Sequence, residues 1–162
     1  MTILTPMSRF AYESYREASA RGYADDNVAA GRWPEEGALQ RSYDSFDELL
    51  PQGTDTPDNY LFDIRDEAAN AIVGVLWFAV VEKKGIKSAF VYDIEIWPEF
   101  RRQGHARRAF VALEALVAEL GLTDIGLHVF GHNVGAQTLY RSLGYGITGI
   151  NMLKRLGDKD SI

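Results

Sequence analysis

The stretch WPEFRRQGHARRAF, residues 97–110, gathers Arg101, Arg102, Arg107 and Arg108 around Gly104. A strand-like pattern ends at Trp97 and Pro98, and a helical pattern begins near Gly104. The first N–H groups of a helix lack partners and carry partial positive charge. Glycine lets another group approach the backbone closely, and arginines reach phosphate oxygens. Together these make an anion site, most naturally for phosphate, at the carboxyl end of a strand. The competing reading is a set of solvated arginines, above all Arg107 and Arg108 on the helix face. Positive charge in a first helical turn opposes the helix dipole, which favours a ligand there. The chain has no P-loop motif and no G-x-S-x-G nucleophile elbow.

Several elements must position this turn. Residues 8–21 place Phe10, Ala11, Tyr15 and Ala18 at roughly helical spacing, and RGYADDNVAAGRW reads as a loop. Pro34 opens a second helix, with Leu39, Tyr43, Phe46, Leu49 and Leu50 on its apolar face, and Pro51 ends it. The period then changes. NYLFDIRD, AIVGVLWFAVV and AFVYDIEIW are three strands joined by short turns, hence antiparallel. Residues 104–120 form the clearest helix, followed by Gly121. DIGLHVF is a strand that a β-α-β connection makes parallel to AFVYDIEIW. Asn133 caps a short helix running to about Leu143. GITGINMLKRL is a last strand, and GDKDSI is a tail. The order predicts an α+β, or mixed α/β, single domain over 1–162.

The totals exclude several chemistries. The chain has 162 residues and no cysteine, so disulfides, thiolate metal sites and a cysteine nucleophile are ruled out. His128 and His132 stand four apart across a strand end, a spacing that shares no face, and no metal is expected. Net charge is −6, and 15 acidic against 9 basic side chains in residues 1–90 account for it. A general nucleic-acid surface is not expected. The acidic half serves solubility or favours cationic substrates. No apolar run reaches membrane-spanning length, so no membrane partner is expected, and a cytoplasmic protein is the default.

IEIWPEFRRQGHARRAF resembles the acetyl-CoA signature [RQ]-x-x-G-x-[GA] of the GCN5-related N-acetyltransferases (GNAT), through Arg101, Gly104 and Ala106. HNVGAQTLYRSLGYG is similar to the family's second signature, matching at Asn133, Ala136, Leu139, Tyr140, Gly144 and Tyr145. The resemblance covers about residues 60–155. It implies a central, mixed, mostly antiparallel sheet with one parallel β-α-β unit and flanking helices. About residues 1–58 would form a helical acceptor-side region, and about 60–155 the coenzyme-binding sheet and helices.

By position, the resemblance puts the coenzyme A pyrophosphate on the backbone of residues 102–107, that is Arg102, Gln103, Gly104, His105, Ala106 and Arg107. Arg101 belongs to the signature, and Arg102 and Arg107 are the side-chain candidates. The pantetheine arm would run beside Glu95, Ile96 and Trp97, with Asn133 and Ala136 as further coenzyme contacts. The chemistry is transfer of acetyl to a primary amine by direct attack in a ternary complex. Tyr140 matches the family's frequent general acid, since a phenol can protonate a departing thiolate. Three bases stay open: Glu95, with Asp93 on its face by alternation; His128, whose ordinary pKa near 6.5 suits the task; or an ordered water. Tyr23, Asp25, Asp26 and Trp33 could hold a cationic acceptor or form a solvated loop. The acceptor is a small-molecule or peptide amine, and the family allows a homodimer. Two alternatives are a non-catalytic acyl-CoA-binding regulatory module and a scaffold that retains only the fold.

Overall fold

The computed structural model describes residues 1–157; the last five residues of the predicted tail lie outside the described part. Its elements are β1 (Thr2–Pro6), α1 (Arg9–Ala29), α2 (Ala38–Leu49), β2 (Asn59–Asp66), β3 (Ala71–Lys83), β4 (Ile86–Ile96), α3 (His105–Glu119), β5 (Ile125–Leu127) and α4 (Val134–Ser142). The strands form one sheet in the order β1-β2-β3-β4-β5. The first four are antiparallel neighbours, and β5 alone runs parallel to β4. This is the expected mixed sheet, with one strand more than the sequence predicts at its start. β1 is short and carries Pro6, so its own residues signal a strand weakly.

β3 is the central strand, and Val73 and Val75–Ala79 are buried. Burial on both faces explains why its sequence is a continuous apolar run. On one face, Val73, Leu76 and Phe78 pack with Ala109, Phe110, Leu113 and Val117 of α3. On the other, Leu61, Val75 and Trp77 pack with Tyr12, Tyr15 and Ala20 of α1 and Phe46 of α2. Between β3 and β4 the register shifts: Phe78 faces Val91 but Trp77 faces Asp93. Tyr92 is therefore an extra residue, a bulge that stacks on Trp77 with ring centroids 4.6 Å apart.

Five expectations need correction, four of them in α1, α2 and β5. α1 runs on to Ala29, so most of the predicted loop is helix. Ala20, Ala24 and Asn27 are buried there at helical spacing, and Ser42 of α2 donates to the Ala20 carbonyl at 2.7 Å. This tertiary packing outweighs the loop-like Gly22 and the two aspartates. The buried face is also rotated from the predicted one: Tyr12 and Tyr15 lie inside while Phe10 is 97% exposed. α2 begins at Ala38, because Gly37 adopts φ 76° and forms its N-terminal boundary; Pro34 stays in the preceding turn. β5 ends at Leu127, as Phe130 leaves the sheet to pack on Tyr23 of α1.

The predicted last strand is absent. Residues 146–156 form no helix or strand, and three glycines in residues 144–149 interrupt any pairing pattern. Those glycines have the spacing G-x-G-x-x-G, but they follow a helix and open none, which is the wrong context for a dinucleotide turn. No helix among the described residues is long and apolar enough to cross a membrane.

Candidate active site

β4 extends five residues past the last one it pairs with β5, Val91. From Tyr92 to Ile96 that edge of β4 faces a gap. Trp97 N–H donates to the Val73 carbonyl at 2.8 Å, on the β3 side. Neighbouring residues of a strand turn their backbone groups to opposite sides, so the groups of Ile96 face the gap. There the Ile96 carbonyl accepts from Arg101 Nε at 2.8 Å. Of the predicted backbone stretch 95–97, Ile96 offers an open edge, together with Ile94 by the same alternation. Trp97 N–H is engaged with β3, and Glu95 turns its backbone the same way.

Gly74 makes this path possible. A Cβ placed on it would lie 2.0 Å from the Glu95 carbonyl oxygen. Only a residue without a side chain lets β3 and the end of β4 approach so closely.

The chain then turns through Pro98–Phe100 into α3. Arg102 has φ 64° and Gly104 φ 82°, so two residues of the turn are left-handed. None of the N–H groups of residues 102–107 has an acceptor among the described residues, and the first that does is Arg108, on Gly104. Six free donors at a helix N-terminus can serve as a cradle for an anion. The four arginines around it differ. Arg101 braces the β4 end and lies 3.8 Å from Glu95. Arg102 is exposed and makes no hydrogen bond among the described residues. Arg107 donates to Ser142 Oγ at 2.7 Å, tying α3 to α4. Arg108, expected to be solvated, donates to Thr2 Oγ1 of β1 and to the Gln103 carbonyl, each at 2.8 Å. His105 is 3% exposed and its Nδ1 lies 3.0 Å from Thr2 Oγ1. Its imidazole points into the protein, leaving only its N–H on the cradle. Gln103 and Ala106 likewise offer their N–H groups.

Asn133 caps α4, accepting from Ala136 N–H at 3.1 Å. That bond occupies the Ala136 donor. α4 carries Tyr140, whose ring meets Phe110 and Tyr145 edge-on at 5.6 and 6.1 Å. Burial, with the Asp93 charge second, pushes the Tyr140 phenol up to about 12. It therefore remains protonated at neutral pH.

Asp93 is the carboxylate that the strand alternation noted only as a companion of Glu95. Its Oδ2 accepts from Tyr15 Oη at 2.8 Å and Ser19 Oγ at 3.2 Å. Burial raises its pKa to about 6, the two hydrogen bonds lower it, and Glu95 adds to the rise. A narrow part of its surface remains open to solvent. Tyr15 in turn is held well above a phenol's ordinary range by burial and by Asp93. A clue to Asp93 was present in the sequence, as a carboxylate inside an apolar strand. The partners on α1 left no local signal, being 74 and 78 residues away.

The other two base candidates differ. Glu95 is exposed. His128 lies just past β5, also exposed, edge-on to Phe130 at 4.9 Å. Partial burial and then the Arg32 charge lower its pKa. Of the predicted acceptor-side group, Tyr23 meets Trp33 and Phe130, and Asp26 lies 3.0 Å from His132 Nε2. Asp25 lies on the same helix. These residues pin the loop before α4 to the end of α1.

A mixed sheet that opens beside a row of free backbone donors can hold an extended, phosphate-bearing ligand. Residues 21–145 match the profile of the acetyltransferase (GNAT) family, and the chain belongs to that family. It is 36% identical over 157 residues to a Bacillus subtilis (strain 168) protein called uncharacterized N-acetyltransferase YycN, covering 96% of this chain and all of that one. A second protein of that strain, uncharacterized N-acetyltransferase YdgE, is 32% identical over 94% of this chain and 97% of its own length. The crystal structure of YycN superposes with a TM-score of 0.90 at 34% identity, over 96% of this chain and 99% of that one. A Pyrococcus furiosus structure at 23% identity shares the fold, with a TM-score of 0.69 over 96% of this chain and all of that one. The chain is thus an acetyltransferase, and acetyl-CoA is the acyl donor typical of its family.

Proposed function

We propose that the protein transfers acetyl from acetyl-CoA to a primary amine by direct attack within a ternary complex. The observation that carries this reading is the gap along β4, with free backbone donors at one end and the Asp93 and Tyr140 side chains beside it. The pyrophosphate would sit on the N–H groups of residues 102–107, with Arg102 and Arg107 supplying charge. The pantetheine arm would lie along Ile94 and Ile96 as an added strand does. This delivers the thioester to the end of the gap near Asp93 and Tyr140. Acetyl-CoA supplies the activated acyl group.

The amine arrives as an ammonium and must lose a proton before attack. We assign that step to Asp93, through a water, in preference to Glu95 or His128. At neutral pH the Asp93 carboxyl is ionised, and its raised pKa makes it a better proton acceptor than an ordinary carboxylate. Tyr15 and Ser19 fix its orientation. The amine nitrogen then bonds to the carbonyl carbon, the carbon–sulfur bond breaks, Tyr140 protonates the departing sulfur, and the second proton that the nitrogen sheds on becoming an amide passes through water to the Tyr140 phenolate. Holding both substrates in one gap supplies much of the acceleration.

The test is coenzyme A release over a panel of amines. The reading expects turnover with at least one amine class. Tight acetyl-CoA binding with no release across primary amines, peptide N-termini and lysine side chains would establish a binding module instead.

A further inference from the structure

A polar network lies beneath the start of α3, at the edge of the sheet far from β5. On β1 and β2, Leu4 stands opposite Ile64, and both pack in the core under α3. Two residues along, on the same face by alternation, Thr2 stands opposite Asp66. Thr2 is buried, and so is His105, the first residue of α3. Arg108 has no acceptor atom on its side chain, so Thr2 Oγ1 accepts from its Nε at 2.8 Å. The Thr2 hydroxyl proton is then free for His105 Nδ1, 3.0 Å away. Arg108 Nη2 also lies 3.4 Å from that nitrogen, which makes Nδ1 the acceptor. The imidazole proton therefore sits on Nε2, facing Asp66 Oδ2 at 3.9 Å. Nε2 has no hydrogen-bond partner among the described residues.

Arg108 carries this network to the cradle. Its Nη2 donates to the Gln103 carbonyl at 2.8 Å, and its backbone N–H to the Gly104 carbonyl at 3.1 Å. In a trans peptide the C=O and the N–H that follows it point in opposite directions. Anchoring these two carbonyls on Arg108 therefore turns the N–H groups of Gly104 and His105 the other way, where they stay free. The guanidinium also lies against Gly104, whose Cβ, if it had one, would be 2.7 Å from Nη1. The backbone bond is what any helix start provides. The side-chain bond depends on a guanidinium held in place, and Thr2 holds it.

We propose that Thr2 is a positioning residue for coenzyme binding. With His105 it orients the Arg108 guanidinium, which fixes the Gln103–Gly104 peptide and so aims the donors of the cradle. The inference rests on the proposed coenzyme cradle and extends it to an edge strand of the sheet.

Calorimetry with coenzyme A tests it without an acceptor. Thr2→Val keeps the shape and removes the hydroxyl. Its Kd should rise about three- to tenfold, the scale of one lost hydrogen bond, and Thr2→Ser should restore the parent value. No charge changes, so the salt dependence of Kd should stay that of the parent. Arg108→Lys keeps the charge but loses the fork that spans Thr2 and Gln103. It should weaken binding as well, and adding Thr2→Val to it should have almost no further effect, because both act through one path. Leu4→Ala, on the same face of β1, is the control for stability. It should lower the melting temperature at least as far as Thr2→Val and leave Kd unchanged. An unchanged Kd in Thr2→Val, or an equal loss of affinity in Leu4→Ala, overturns the inference alone. A parent chain that binds no coenzyme A overturns the cradle reading, and the inference falls with it.

Discussion

The two ends of the β4 gap are built from different materials. The anion cradle is backbone: six free N–H groups, two left-handed residues and one glycine boundary. The proposed catalytic end is side chain: Asp93 from β4, Tyr15 and Ser19 from α1, Tyr140 from α4. A backbone site tolerates side-chain changes and loses function mainly when its path changes. A side-chain site can be switched off by one atom. Substitutions at the catalytic end should therefore alter rate, and those at the cradle should alter coenzyme affinity.

The largest expected effect is at Asp93. Asp93→Asn keeps the shape and can still accept from Tyr15 and Ser19, but it cannot take a proton. We expect kcat/KM to fall by about 10²–10⁴, with the acetyl-CoA Kd unchanged by calorimetry. The parent enzyme should lose activity as pH drops through about 6, and the variant should lack that limb. Stability should move the other way. The folded pKa lies above the ordinary 3.8, so between these values the unfolded chain is ionised and the folded one is not. Parent stability thus falls from about pH 4 to 6 and then carries a constant penalty. Removing the charge should stabilise the fold at neutral pH by on the order of 1–3 kcal/mol. A variant both less active and less stable would return Asp93 to a structural role.

Tyr140→Phe comes next. It deletes one oxygen from a ring whose packing on Phe110 needs none. We expect kcat to drop by about 10²-fold, with little change in melting temperature. Poor leaving groups need the acid most, so an acyl donor with a more acidic thiol should partly rescue the variant. Equal loss with both donors would remove Tyr140 from the proton path.

This contrast also explains what the sequence could reveal. Cradle and cap are local: Gly104, its arginines and Asn133 act on residues within a few positions, so spacing alone exposes them. α3 and α4 were legible for the same reason. The proposed base was not, because Asp93 draws its partners from a helix 74 and 78 residues earlier. The continuation of α1 past Gly22 was hidden too, since it depends on α2 packing over Ala20 and Ala24. The predicted last strand failed in the opposite way. Its apolar residues carry strand propensity, but among the described residues they pair with no strand.

Gly104→Ala probes the cradle. At φ 82° a Cβ is strained, and it would meet Arg108 Nη1 at 2.7 Å, the end of a flexible side chain that can shift. The acetyl-CoA Kd should rise about tenfold, matching roughly 1 kcal/mol or slightly more of backbone strain. Under saturating coenzyme, kcat should stay within about twofold of the parent, since Asp93 and Tyr140 are untouched. A selective fall in kcat would join the two ends into one unit and break the comparison.

The smallest effect separates the two possible duties of Arg107. Its guanidinium ties α3 to Ser142 on α4 and also stands beside the proposed phosphate position. Arg107→Ala removes both the charge and the tie, whereas Ser142→Ala removes only the tie. An exposed hydrogen bond contributes about 1 kcal/mol or less, while an arginine on a phosphate makes a stronger, salt-sensitive contact. We therefore expect Arg107→Ala to weaken acetyl-CoA binding about three- to fivefold and to flatten its salt dependence. Ser142→Ala should change Kd by less than about twofold. If the serine change matches the arginine change, Arg107 is a strut that holds the helix bearing Tyr140. The cradle would then bind phosphate by backbone alone, with Arg102 as its nearest free cation.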